Sequence, residues 1–256
     1  HSRESSELYA LLGEFPDGEH RYDEIVVLMR EALAIDADDA GALAQLGFNL
    51  IRAGDETEGV SALSRAFSLD PYNVRVFNTL NLFDTVIPKA YASVRTPRFL
   101  IRYHKADQPL LERYVPQLLD RAFDAMKAGY GFAPETPVGI ELYAERQNFA
   151  IRTGGLPQTA IQGVCFGKTL ASMSPQHETF NLGMTLWHEL SHVFHIQLSK
   201  SRVPRWFTEG LAEYETMVTR REWTREHDPE LYDMERAGKL PSVAQMSRAF
   251  TRASEL

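Results

Sequence analysis

The sequence predicts an α+β protein in two parts: an all-α domain of helical repeats over residues 1–94, then a mixed domain over residues 95–256 with a small sheet and long helices. Three observations carry this prediction. A segment near the N-terminus recurs at a fixed offset, the hydrophobic spacing turns from helical to alternating after Pro88, and charge divides unevenly along the chain. Residues 1–70 hold 15 acidic and 5 basic side chains, a balance of −10, and residues 71–256 hold 20 and 22, a balance of +2; together they give the net charge of −8. At 256 residues, 44% of them hydrophobic, the chain can bury one or two sizeable cores, which excludes a disordered tail.

The repeat defines the first part. Glu31-Ala32-Leu33-Ala34-Ile35-Asp36-Ala37 returns 34 residues later as Arg65-Ala66-Phe67-Ser68-Leu69-Asp70-Pro71, with apolar, small and Asp positions aligned. The spacing predicts helices at about 22–35, 42–53, 57–69 and 74–87. Leu46-Gly47 suits a tight contact between helices, Gly54-Asp55 an inter-helix turn and Pro71 a terminator. Over about residues 20–90 this resembles a tetratricopeptide array of two units, the alternative being a plain bundle of helical hairpins. The resemblance implies a surface that docks a protein partner or positions the downstream domain.

In the second part Phe99, Ile101 and Tyr103 alternate with Arg98, Arg102 and His104, predicting a strand at 98–104. Helical spacing over 109–128 stops at Gly129-Tyr130-Gly131, and Pro137 leads into a strand at 138–143. Gly154 to Pro157 reads as a turn. Short strands follow at Ile161 to Phe166 and Lys168 to Met173, and a long helix spans about 178–199. No phosphate-binding glycine pattern is present, so Gly154-Gly155 and Gly163 to Gly167 read as turn glycines.

The long helix carries His188-Glu189-Leu190-Ser191-His192, an H-E-x-x-H motif. Four residues apart on a helix, the two imidazoles stack on one face and reach one cation, while Glu189 beside them reaches a metal-bound water without being a ligand. Glu209 lies 17 residues after His192, inside Pro204-Arg205-Trp206-Phe207-Thr208-Glu209-Gly210-Leu211-Ala212-Glu213-Tyr214. That segment resembles the W-x-x-E-G-x-A-x-Y segment of the gluzincin, thermolysin-like metallopeptidases. Together with Phe99 to Tyr103 and Gly163-Val164-Cys165-Phe166-Gly167, the chain is similar to bacterial peptidase MA-like proteins that carry tetratricopeptide repeats.

The resemblance implies a zinc peptidase with Zn²⁺ held by His188, His192 and Glu209, Glu189 as catalytic base, and Glu213 orienting His188. It also implies that the strand before the active-site helix pairs with a peptide or protein substrate, with Gly163, Val164, Phe166 and Gly167 as substrate-binding residues. The group's oxyanion donor, a Tyr or His, lies further toward the C-terminus; here His227 and Tyr232 are the local candidates, and the peptidase domain is expected to be C-terminally incomplete. His195 competes as third ligand, but a straight helix places it about 10 Å along the axis from His188, so it reads as a packed or hydrogen-bonded histidine. Cys165, with aliphatic and strand neighbours, reads as a buried thiol.

Other classes are excluded or kept as alternatives. The single cysteine rules out internal disulfides and a Cys-rich zinc site, and leaves the compartment open. Apolar runs of a few residues fall far short of the roughly 20 that span a bilayer. The Lys and Arg residues do not cluster as nucleic acid or anionic lipid would require. The chain starts at His1 without a signal-type apolar segment and ends at Leu256 in a polar stretch, so it reads as a fragment. A catalytically inactive scaffold working through the repeat surface, and a hydrolase acting on a non-peptide amide, are the competing functions.

Overall fold

Short polar side chains start three of the N-terminal helices. In the computed structural model, which describes residues 21–157, 161–176, 178–223 and 228–246, the first helices are α1 (Tyr22–Ile35), α2 (Ala40–Ala53) and α3 (Glu56–Leu69). They are followed by α4 (Val74–Asn81), a π-helical turn (Leu82–Val86) and α5 (Ile87–Ala90). Asp39, Asp55 and Asn73 cap α2, α3 and α4 by accepting from the N–H groups of Ala42, Glu58 and Val76. The turn after α1 is rebuilt 34 residues later after α3: Asp36 and Asp70 share φ −132°, and each accepts from the N–H two residues ahead, Asp38 and Tyr72, at 3.1 Å. Between α2 and α3 the backbones almost touch. A Cβ on Gly47 would lie 2.8 Å from the Gly59 carbonyl oxygen and 2.6 Å from Leu63 Cγ, so this contact requires glycine.

The chain then forms one sheet from β1 (Tyr91–Arg95), β2 (Phe99–His104), β3 (Val138–Tyr143), β4 (Gly163–Cys165) and β5 (Thr169–Met173). Strand order is β1-β2-β3-β5-β4; β2, β3 and β5 run parallel, and β1 and β4 pair antiparallel at either end. The architecture is α+β. Around the sheet lie α6 (Gln108–Leu111), α7 (Val115–Tyr130), α8 (Arg146–Gly154), α9 (Leu182–Ser199), α10 (Arg205–Thr219) and α11 (Asp228–Arg236).

β1 and α8 escape the pattern of the sequence. β1 follows α5 directly with no turn residue between them, and the expected boundary at 94/95 falls inside it. α8 begins with Arg146-Gln147-Asn148 and buries Asn148 and Arg152 beside Phe149 and Ile151, so its apolar period is broken by polar side chains. The helix expected over 109–128 is split into α6 and α7, with Pro116 in the first turn of α7.

Both faces of the sheet are covered. On one, Phe99, Ile101, Ile140 and Leu170 pack against α7 and α9 through Leu119, Phe123, Leu186 and Val193. On the other, Tyr143, Ala171 and Met173 join the core of α1 to α4. One hydrophobic cluster thus runs through the N-terminal helices and one sheet face.

Inside that junction lies a buried ion pair. Arg152 Nε and Nη2 donate to Glu141 Oε2 and Oε1 at 2.8 and 3.1 Å, and the Tyr143 hydroxyl donates to Glu141 Oε2 at 2.8 Å. Arg102 on β2 reaches Glu56 on α3 at 2.8 Å. Burial pushes the Glu141 carboxyl up, but Arg152 and Arg102 outweigh it and hold the group below the usual carboxylate range. Because its folded pKa is depressed, the pair's contribution is complete above the unfolded pKa of about 4.3 and is lost as pH falls through the folded value. Glu141→Ala leaves Arg152 charged and buried, with an expected loss of about 3–5 kcal/mol in urea unfolding at neutral pH. An unchanged unfolding midpoint would contradict this. Among the described residues, no helix is long and apolar enough to cross a membrane.

Candidate metal centre

Asn181 caps α9, accepting from the Met184 N–H, and Leu186, Leu190 and Val193 bury one face of the helix against the sheet. That packing turns His188 and His192 toward α10. The corner between the two helices is made by Lys200 and Ser201, with φ of 55° and 56°, and the Ser201 N–H bonds to the Ile196 carbonyl at 2.9 Å. Left-handed backbone at a non-glycine residue costs roughly 1–2 kcal/mol. Here it folds α10 back along α9.

Three ligand atoms converge as a result. His188 Nε2 and His192 Nε2 are 3.1 Å apart, and each is 3.3 Å from Glu209 Oε2. Zinc bound tetrahedrally at about 2.0–2.1 Å has ligand-to-ligand edges of roughly 3.3–3.4 Å, so this triangle fits the ion. Among the described residues this is the group of His, Cys, Asp or Glu able to hold a metal. Electrostatics agree. Burial lowers the affinity of His188 for a proton, but hydrogen bonds to Glu209 and Glu213 outweigh it and raise its pKa to about 10. Burial raises Glu209, but His188 and His192 hold it far below the carboxylate range. The cluster favours positive charge at its centre.

The supporting residues have distinct partners. His188 Nδ1 is 3.3 Å from Glu213 Oε1, and a proton shared there leaves Nε2 free to ligate. Arg205 Nε donates to Glu209 Oε1 at 3.4 Å, holding the oxygen that faces away from the imidazoles. Arg205 lies outside the metal motif, and the signal for it in the sequence is an Arg and a Glu four apart on one helix. Glu189 is 8% exposed, and a Cβ on Gly163 would lie 2.6 Å from its Oε1. The bare backbone of Gly163 lets β4 come up against this carboxylate. Burial pushes Glu189 up, more than His192 and His188 pull it down.

A cleft of about 280 Å³ opens here, lined by Gly163, Val164, His188, Glu189, Arg205 and Glu209. β4 ends the sheet beside it among the described residues. Phe166 and Gly167, expected to bind substrate, are not brought to this cleft. The chain turns at Gly167, φ +90°, and Phe166 is buried on the opposite side against Tyr22 and the Arg152 guanidinium. His195 stays outside the ligand triangle, buried and 2.8 Å from the Tyr130 hydroxyl. Cys165 is buried, its thiol pushed up by burial, and its Sγ accepts from the Gly167 N–H. Tyr232 is exposed on α11 with the Arg236 guanidinium over its ring and does not line the cleft. His227 lies outside the described residues. Comparison of the chain with protein-family models, curated proteins and solved structures finds no match.

Proposed function

We propose that the protein is a zinc-dependent peptidase of the gluzincin type, with His188, His192 and Glu209 holding the ion and Glu189 as general base. The observation that carries this reading is the triangle of two Nε2 atoms and one carboxylate oxygen at 3.1–3.3 Å, with the Glu189 carboxylate in the same cleft. Held by His188, His192 and Glu209, zinc would lower the pKa of a water and polarise the scissile carbonyl. Glu189 takes the proton of the attacking water on its carboxylate and passes it to the leaving amine. Its burial supports that role, because a raised pKa brings the carboxyl closer to working pH. β4, at the sheet end beside the cleft, offers backbone N–H and C=O groups to an extended peptide.

The turn rebuilt at a 34-residue offset and the glycine contact between α2 and α3 support a tetratricopeptide reading of the N-terminal helices, with their outer surface as the place for a protein partner. The function is tested by metal analysis of purified protein together with hydrolysis of a peptide library: stoichiometric zinc with chelator-sensitive cleavage is expected. Zinc without cleavage would favour an inactive scaffold. Gly163→Ala adds a methyl where the Glu189 carboxylate stands, and a misplacement near 1 Å lowers turnover about 100-fold. Zinc content in that variant should stay at the wild-type value; loss of zinc instead of turnover would contradict the placement of Glu189.

A further inference from the structure

Three helices meet beside the metal cluster, and one side chain from each joins a single hydrogen-bonded chain. The hydroxyl of Tyr130, the last residue of α7, lies 2.8 Å from His195 Nε2 on α9 and donates to Glu215 Oε1 on α10 at 2.7 Å. A phenol has one proton, and it goes to Glu215. The Tyr130 oxygen thus links His195 Nε2 on one side to the Glu215 carboxylate on the other. The His195 ring stands edge-on to Tyr130 at 5.3 Å and edge-on to the ligand His192 at 5.9 Å.

The fully buried face of α10 is narrow. Its fully buried residues are Thr208, Ala212 and Thr216, all small; Trp206 and Leu211 are half-buried, and Phe207, Tyr214, Met217 and Val218 are exposed. With only small side chains fully buried, polar ties add to the seating of this helix. The ligand cluster supplies ties at Glu209 and at Glu213, whose Oε1 lies 3.3 Å from His188 Nδ1, and Glu215, six residues after Glu209, supplies another from the far side.

We propose that Tyr130, His195 and Glu215 form a brace that holds α10 against α9 at the spacing where Glu209 meets His188 and His192. Tyr130 is then a positioning residue for the metal centre. This rests on the reading of the cluster as a metal site.

The test uses the full chain with zinc alone and with Co²⁺ alone as probes. Tyr130→Phe keeps the ring against Phe194 but removes the hydroxyl, and Glu215→Ala removes the acceptor at a partly exposed position. Each is expected to lower zinc affinity about tenfold in a chelator competition and to alter the Co²⁺ visible bands. Glu215→Gln keeps an acceptor oxygen and should restore affinity and spectrum to near wild type. Wild-type zinc affinity and Co²⁺ spectrum in both Tyr130→Phe and Glu215→Ala would overturn the brace, even if the metal-free proteins melt earlier. Absence of stoichiometric zinc from the wild type would overturn the metal-site reading, and the brace with it.

Discussion

Glu189→Gln is expected to lower kcat on a peptide substrate by about 10²–10⁴-fold, the usual contribution of a positioned acid or base, while zinc stays bound at one per chain. Glutamine keeps the shape of the side chain and its place against Gly163, so neither the cleft nor the ligand triangle is disturbed. What it loses is the ability to take a proton from water and return it to the leaving amine. Glu189 makes no contact in the triangle of His188, His192 and Glu209, so metal content is predicted not to follow activity. The measurement is paired: peptide hydrolysis, and zinc by elemental analysis on the same preparation. Turnover at the wild-type rate would rule out Glu189 as the base, and zinc lost together with activity would make it a structural support of the site.

Removing the metal is expected to have a second large effect, on stability as well as activity. The three ligands come from two helices joined by a strained corner, so an ion between them ties α10 to α9. Free zinc at 1,000 times its dissociation constant stabilises by about 4 kcal/mol, which for a chain of this size raises Tm by roughly 10 °C. A chelator should therefore lower Tm by that amount and stop hydrolysis, and zinc should restore both. His188→Ala and Glu209→Ala should melt near the chelated wild type and show no further response to chelator. If either variant retained the zinc-dependent rise in Tm, that residue would not be a ligand.

How much of this was legible in the sequence depends on the range of the interactions. The helical starts followed local chemistry: Asp39, Asp55 and Asn73 sit where capping side chains belong, and the repeat aligned their turns. β2 and β3 followed from alternation, because Phe99, Ile101 and Tyr103 bury one face and leave Leu100 to the other. β1 and α8 did not show in the pattern. β1 has no turn before it, and α8 buries Asn148 and Arg152, the latter against Glu141 of β3, a partner its own sequence does not announce.

The site divides in the same way. By itself the sequence determined the pairing of His188 and His192, because residues four apart on a helix share a face whatever surrounds them. It also placed Glu189 next to them, and the resemblance to gluzincins pointed to Glu209 and Glu213. Only the tertiary structure decided that Glu209 comes within 3.3 Å of both imidazoles, since that requires two successive left-handed residues, Lys200 and Ser201, that no glycine announces. It decided too that Gly163 and Val164 face the cleft while Phe166 turns away, and that Tyr130 reaches His195 and Glu215 from a third helix. A helical period carries side-chain direction over one or two turns; beyond a corner, direction belongs to packing.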